Sequence, residues 1–233
     1  MDTYERKILT ILFSTNKTLH EAKTSNAYRL ASITQINDEY RKKMEDVSMA
    51  PLELPLQKIR NEIYNTLIFS REYVDFLSKI SSINLYDCAE IIVEIGDITR
   101  FKNRRHFISY AGLAPVIQKN KKTYKVTKHN KGTRVANKKY DSVNYCENLK
   151  VALTRCTQKM INNDTDYKQF YDDKIKDYQY KHPKYSKKRL HLMALKKTTI
   201  RFANKIYNEF NQIKEIEDYE RLKYDDISDI QNR

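Results

Sequence analysis

A chain of 233 residues has room for one large or two small cores and does not depend on staples to stay folded. Its three cysteines, Cys88, Cys146 and Cys156, form no CxxC pair and have no histidine at ligand spacing, which points away from disulfide or thiolate-metal sites and toward free, small buried hydrophobes in a reducing compartment. A net charge of +14 calls for a polyanionic partner, and no apolar run approaches the ~18 residues of a bilayer span, so a cytoplasmic chain without membrane contact is expected.

Residues 1–50 read as a polar helical remnant or linker in which Ile8, Leu9, Ile11 and Leu12 form one short buried face. Pro51 and Pro55 punctuate the chain, since proline suits a helix start. Residues 51–80 follow as a long amphipathic helix. From Leu56, the apolar residues Ile59, Ile63, Tyr73, Leu77 and Ile80 recur near multiples of 3.5, with Leu67, Ile68 and Val74 filling the stripe. A polar face carrying both charge signs makes the helix coiled-coil-like, and a homo-oligomer through residues 56–80 is expected.

Residues 81–213 read as a compact helical domain. "SSIN" makes a turn, Asp87 can cap, and Cys88 to Ile95 forms an apolar helix closed by Gly96, a residue suited to the left-handed position after a helix. Asp97 or Thr99 starts the next helix, through "RFKNRRHFISYAG", with Phe101, Phe107, Ile108 and Ala111 inward, Gly112 ending it and Pro115 preventing a restart. The segment "VIQKNKKTYKVT" alternates β-branched and basic residues, a hairpin signal near 116–127. A helix from about Arg134 to Ile161, a short one over 164–180, the loop "KHPKYSKK" and a final helix from about Ser186 to Ile213 complete the domain. On that last helix Leu190, Met193, Ile200, Ala203, Ile206, Phe210 and Ile213 share one stripe, while Lys197, Arg201 and Lys205 share another. Residues 214–233 are a charged tail expected to fray. The fold class is therefore mostly α: a long amphipathic helix, then a compact helical domain with a small β-hairpin.

The charge is concentrated. Between Ile98 and Tyr140 lie 13 Lys or Arg residues and no Asp or Glu: Arg100, Lys102, Arg104, Arg105, Lys119, Lys121, Lys122, Lys125, Lys128, Lys131, Arg134, Lys138 and Lys139. Outside this block acids and bases nearly balance. Segregation of this kind is the electrostatic footprint of a nucleic-acid site, because each neutralised phosphate releases condensed counterions. Tyr110 and Tyr124 are candidates for stacking on bases, although 18 tyrosines in the chain favour a core or rim role for any one of them. His106 and His129 have no carboxylate near them in sequence and read as solvated or phosphate-facing.

The run "AEIIVEIGDITRFKNRRHFISYAGLAP" is similar to a helix ending in E-I-G-D, then R-F, a basic pair and an aromatic helix ending in A-G-L-x-P, as found in insertion-sequence transposases of the one-ten family, which includes the Piv-type DNA invertases. "VTKHNKGTRVANKK", "YKQFYDDKI" and "KKRLHLMALKKTTIRFANKIYNEF" resemble later segments of that family's C-terminal domain in the same order, so the likeness spans roughly residues 55 to 212.

This resemblance implies DNA transposition or recombination, with DNA as partner and, in some members, a structured guide RNA. It also implies an N-terminal RuvC-like domain with four metal-binding acids and a serine nucleophile in the C-terminal domain. Only some fifty residues, helical in pattern, precede the long helix, so the acidic domain is expected to be missing; no cofactor is expected in this chain, and Mg²⁺ only where a RuvC-like domain is supplied elsewhere. The serine position falls at Lys119 and Asn120, neither of which can form a covalent phosphodiester intermediate as a serine does, and neither Thr123 nor Ser109 matches the motif. No catalytic and no metal-binding residue is therefore assigned. Two glycines of the family's turn before the E-I-G-D helix are Ser82 and Asn84 here. The reading is a truncated, catalytically degenerate transposase part that binds DNA; the alternative is a non-enzymatic accessory or regulatory nucleic-acid-binding protein derived from one.

Overall fold

Two compact units make up the chain, residues 1–96 and 97–233. A computed structural model describes the backbone of residues 3–32, 38–114, 116–120, 123–127 and 145–231, and the side chains of 4–31, 42–114 and 145–223.

The first unit holds α1 (Thr3–Ser32), α2 (Asp38–Ser48), α3 (Ala50–Leu67) and α4 (Leu85–Ile95). On α1 the buried residues Leu9, Asn16 and Leu30 fall at multiples of seven, and on α3 Leu56 and Ile63 do the same, continued beyond the helix by Ser70 and Leu77. A seven-residue repeat keeps one seam facing a partner helix. The partner is within the chain, because α1 and α3 pack against one another. They run antiparallel: Asn26 Nδ2 donates to the Ser48 carbonyl at 3.1 Å, Lys23 pairs with Glu53, Arg60 Nη2 lies 3.3 Å from His20 Nε2, and Arg6 meets Glu72 at 3.2 Å. The short N-terminal face is narrower than expected, since Leu9 is buried and Ile11 is exposed.

The stretch 56–80 is helical, but it is not the single helix that its spacing predicts. α3 ends at Leu67, a π-helical turn spans Glu72–Phe76, and a 3-10 turn spans Leu77–Lys79. Ser70 is the cause. Its hydroxyl donates to Glu72 Oε2 at 2.7 Å and accepts the Tyr73 N–H at 3.3 Å, while its carbonyl takes the N–H groups of Tyr73 and Val74, so a new turn starts there. The Leu77 N–H is then shared between the Glu72 and Tyr73 carbonyls. This widened turn is the usual form of a π-bulge and keeps Leu77 inward in spite of the break. Arg6 neutralises the buried Glu72 carboxylate, which would be costly to leave unpaired.

α4 begins earlier than expected. Asn84 is its N-cap, accepting the Asp87 N–H at 2.9 Å, and Asp87 reciprocates by accepting the Asn84 N–H at 3.3 Å, so Asp87 completes a capping box rather than starting the helix. Ile91, Ile92 and Ile95 fill the core, and Gly96, at φ +61 and ψ −127, turns the chain out of the helix.

The second unit holds α5 (Arg104–Tyr110), a hairpin of β1 (Val116–Asn120) and β2 (Thr123–Thr127), then α6 (Glu147–Asn163), α7 (Thr165–Lys181) and α8 (Lys187–Gln231). The strands are antiparallel, from Val116 opposite Thr127 to Asn120 opposite Thr123. α8 lies against α5, α6 and α7; Phe202, Ala203, Ile206 and Phe210 of α8 and Leu149, Leu153, Cys156 and Met160 of α6 are all buried. Three hydroxyls are buried in this unit without cost, because Thr157, Thr198 and Thr199 each donate to the carbonyl one turn back, at 2.7, 3.0 and 2.9 Å.

The helix expected from Arg134 starts instead at Glu147; residues 134–144 lie outside those described. The reason for the start is Cys146, which is extended at φ −78, ψ 105 and whose Sγ accepts the Leu149 N–H at 3.4 Å. It acts as a cap, not as the buried hydrophobe expected, whereas Cys88 and Cys156 are buried and form no disulfide. The final helix runs well past Ile213: the tail expected to fray is α-helical through Gln231, with Lys214 bonded to Glu217 at 3.1 Å and near Asp218 at 3.8 Å.

Candidate nucleic-acid interface

The predicted helix through "RFKNRRHFISYAG" is split in two, and the split creates a turn. Asp97 accepts the Thr99 N–H at 2.9 Å and starts a 3-10 turn over Ile98–Arg100. Asn103 then caps α5 by accepting the His106 N–H at 2.9 Å. Asparagine and aspartate favour such caps because their short side chains reach the backbone donors that a helix start leaves unpaired. Lys102, Arg104 and Arg105 are thereby presented on and beside the turn, all exposed, with no carboxylate in ion-pair range among the described residues.

An aromatic platform lies beneath them. Phe101 meets Phe107 edge-on at 5.2 Å and Tyr110 at 5.1 Å, and Phe107 lies 5.7 Å from Tyr207 of α8. Tyr207 also donates to the Phe101 carbonyl at 3.5 Å. Arg100 rests its guanidinium 4.5 Å from the Tyr110 ring centre and 4.7 Å from that of Phe101. Cation–π contact fixes this arginine while leaving its charge in place. Tyr110, a candidate for base stacking, is thus part of the platform; burial pushes its phenol pKa up, against the opposing pull of Arg100. His106 is exposed, with its ring 5.9 Å from Phe101. Tyr207 was not legible as part of this site, since it adjoins the inward stripe of its helix without belonging to it.

The two flanks of the remaining basic segment meet at this platform. The Cys146 N–H donates to the Tyr110 carbonyl at 2.8 Å. Gly112, at φ +65, comes so close to the Tyr145 ring that a Cβ would stand 2.5 Å from Cδ2. Chain leaving at Gly112 therefore returns beside its point of departure. In sequence, the nine cations from Lys119 to Lys139 lie between these two joined flanks. Lys119 and Lys125 fall on β1 and β2. The side chains of those two, and Lys121, Lys122, Lys128, Lys131, Arg134, Lys138 and Lys139, lie outside the described residues, as do Pro115, Gly132, His129 and the ring of Tyr124.

Of the positions weighed for nucleophilic attack, Asn120 and Thr123 face each other at the end of the hairpin, and Ser109 is half-buried on α5. Lys197, Arg201 and Lys205 share one face of α8, but Arg201 is folded over Phe170 at 4.6 Å and Tyr167 at 5.5 Å. Among the described residues no helix is long and apolar enough to cross a membrane.

Residues 74–172 match the model of the Transposase IS116/IS110/IS902 family. The match takes in α4, the basic turn, the hairpin, α6 and the first part of α7. No curated protein sequence matches the chain.

Proposed function

Since residues 74–172 match the model of the Transposase IS116/IS110/IS902 family, we propose that the chain supplies nucleic-acid binding to DNA transposition and does not itself cut DNA. DNA is the main partner, and a structured guide RNA a further one by the family resemblance. The observation that supports binding is the joining of the two halves of an acid-free block: exposed Lys102, Arg104 and Arg105 stand on a rigid aromatic platform beside the pinned flanks of a segment with nine more cations. Degenerate chemistry is supported by Lys119 and Asn120 at the position of the family's serine, because an ammonium or an amide cannot form the covalent intermediate.

The test is fluorescence anisotropy of the purified chain with duplex DNA and with hairpin RNA across salt concentrations. Each phosphate contact contributes about −0.9 to the log–log salt slope on duplex DNA, so R104A/R105A should flatten that slope by about two units. Affinity indifferent to salt would overturn the binding reading. Cleavage of element-end DNA by the chain alone with Mg²⁺ would overturn the degenerate one. The accessory reading predicts instead that the chain competes with an intact transposase for the same DNA ends.

A further inference from the structure

The near balance of charge outside the first block conceals a second. No Asp or Glu occurs between Asp177 and Glu209, and nine Lys or Arg residues do. Five of the nine, Lys181, Lys184, Lys187, Lys188 and Arg189, cluster at the turn between α7 and α8, beyond the residues matched by the family model.

This turn is built rather than loose. The His182 N–H donates to the Tyr178 carbonyl at 2.9 Å and ends α7, and the Tyr185 N–H donates to the His182 carbonyl at 3.0 Å, closing a β-turn with Pro183 and Lys184 at its centre. Proline suits the second position of such turns because its φ is already fixed there. His182 and Tyr185 stack at 4.6 Å, nearly parallel at 11°, and the Arg189 guanidinium covers Tyr185 at 3.7 Å. The three side chains thus form a layered histidine–tyrosine–arginine stack. Stacking restrains Arg189 without spending its charge on a carboxylate, and its planar fork suits phosphate oxygens. Lys184, Lys187 and Lys188 surround it, exposed and without a carboxylate in ion-pair range among the described residues. Tyr180, the most exposed large hydrophobic residue described at 88 %, is the penultimate residue of α7.

We infer that the α7–α8 turn is a second nucleic-acid contact: Lys184, Lys187, Lys188 and Arg189 take backbone phosphates, and Tyr180 stacks on an unpaired base. Cations beside an exposed aromatic ring are the arrangement that holds single strands, since every base has a face to stack and every nucleotide a phosphate. The inference rests on the nucleic-acid reading above and extends it to a place and a strand type. Both contacts belong to one unit, and α8 links them: Tyr207 touches the first platform, and Arg189 lies 18 residues earlier on the same helix. At ~1.5 Å per residue the two are up to about 27 Å apart along the axis, or about eight base-pair steps at ~3.4 Å. A duplex held at the "RFKNRR" turn with a single-stranded extension of several nucleotides would reach both.

The experiment compares blunt duplex with the same duplex carrying a ten-nucleotide single-stranded tail, for the wild-type full chain and for K184Q/K187Q/K188Q, Y180A and R104A/R105A. The wild type should bind the tailed DNA more tightly. The triple variant should lose that gain and flatten its salt slope on tailed DNA by about two units, at ~0.7 per single-strand contact. Y180A should weaken tailed DNA between about fivefold and about 150-fold and leave blunt duplex unchanged. R104A/R105A should weaken both. Equal binding of tailed and blunt DNA by the wild type, or unchanged tailed binding in the triple variant while R104A/R105A weakens, would overturn this inference and leave the broader reading standing. No salt-dependent binding by the wild type would overturn both. Circular dichroism of each variant separates a lost contact from a lost fold.

Discussion

Gly112→Ala isolates how the basic segment is anchored. At φ +65 an alanine bears left-handed strain of ~1–2 kcal/mol. Its Cβ would also stand 2.5 Å from Tyr145 Cδ2 and 3.0 Å from Cγ, about 1 Å inside ordinary carbon–carbon contact of ~3.5–4.0 Å. Forcing a methyl into such a gap costs ~1–3 kcal/mol, so the substitution should destabilise by about 2–5 kcal/mol and lower the melting temperature by roughly 10 °C. Gly96→Ala is the control, because φ is +61 there but nothing lies within 4 Å of its Cβ. It should show backbone strain alone. Adding Tyr145→Ala to each in a double-mutant cycle, followed by chemical denaturation, separates the two terms: coupling should be ~1–3 kcal/mol for Gly112 and near zero for Gly96. If Tyr145→Ala gave Gly112→Ala no relief, the ring would not be what excludes a side chain, and the close approach of Gly112 to Tyr145 would lose its main support.

Three further outcomes test the local reasoning. Asn84→Ala removes the cap of α4 and half of the reciprocal box, and should cost about 1 kcal/mol in thermal unfolding. Cys146→Ser should preserve the start of α6, since a hydroxyl accepts the Leu149 N–H at least as well as sulfur does, whereas Cys146→Val should cost about 1 kcal/mol. Burial pushes the Tyr167 phenol up to about 12, so the unfolded chain releases that proton first as pH rises. Stability should therefore fall between pH ~10 and ~12, and Tyr167→Phe should reduce the slope in denaturation measured across that window.

Legibility in the sequence followed the range of the forces involved. Helix-forming stretches and their inward faces were readable because period and burial are properties of neighbouring residues; Ile63, Phe107, Ile206 and Phe210 lie inside as their spacing implies. Helix limits were less readable wherever a side chain competed with the backbone. Ser70 restarts a turn where no proline or glycine warns of one. Asn103 divides a stretch that reads as one helix, and Cys146 caps although cysteine is a poor predictor of caps. Of the candidate interface, Arg100, Lys102, Arg104 and Arg105 can be nominated from charge alone. Their platform cannot, because Tyr207 joins Phe101 from 106 residues away. The covering of α3 by α1 was hidden for the same reason: a seven-residue repeat predicts a partner helix without saying that the partner is in the same chain.

α8 has 45 residues, yet its last buried side chain among those described is Ile213, and Ile216, Tyr219 and Leu222 beyond it are exposed. An isolated helix of the remaining 18 residues would be marginal in water, since the unfavourable step is the first turn. Here that step is taken where α8 packs on α6 and α7, and each later residue only propagates an existing helix. The far end has no nucleus of its own, so it melts as a zipper from Gln231 inward, and amide protection should rise residue by residue from Gln231 until it reaches the packed register at Ile213.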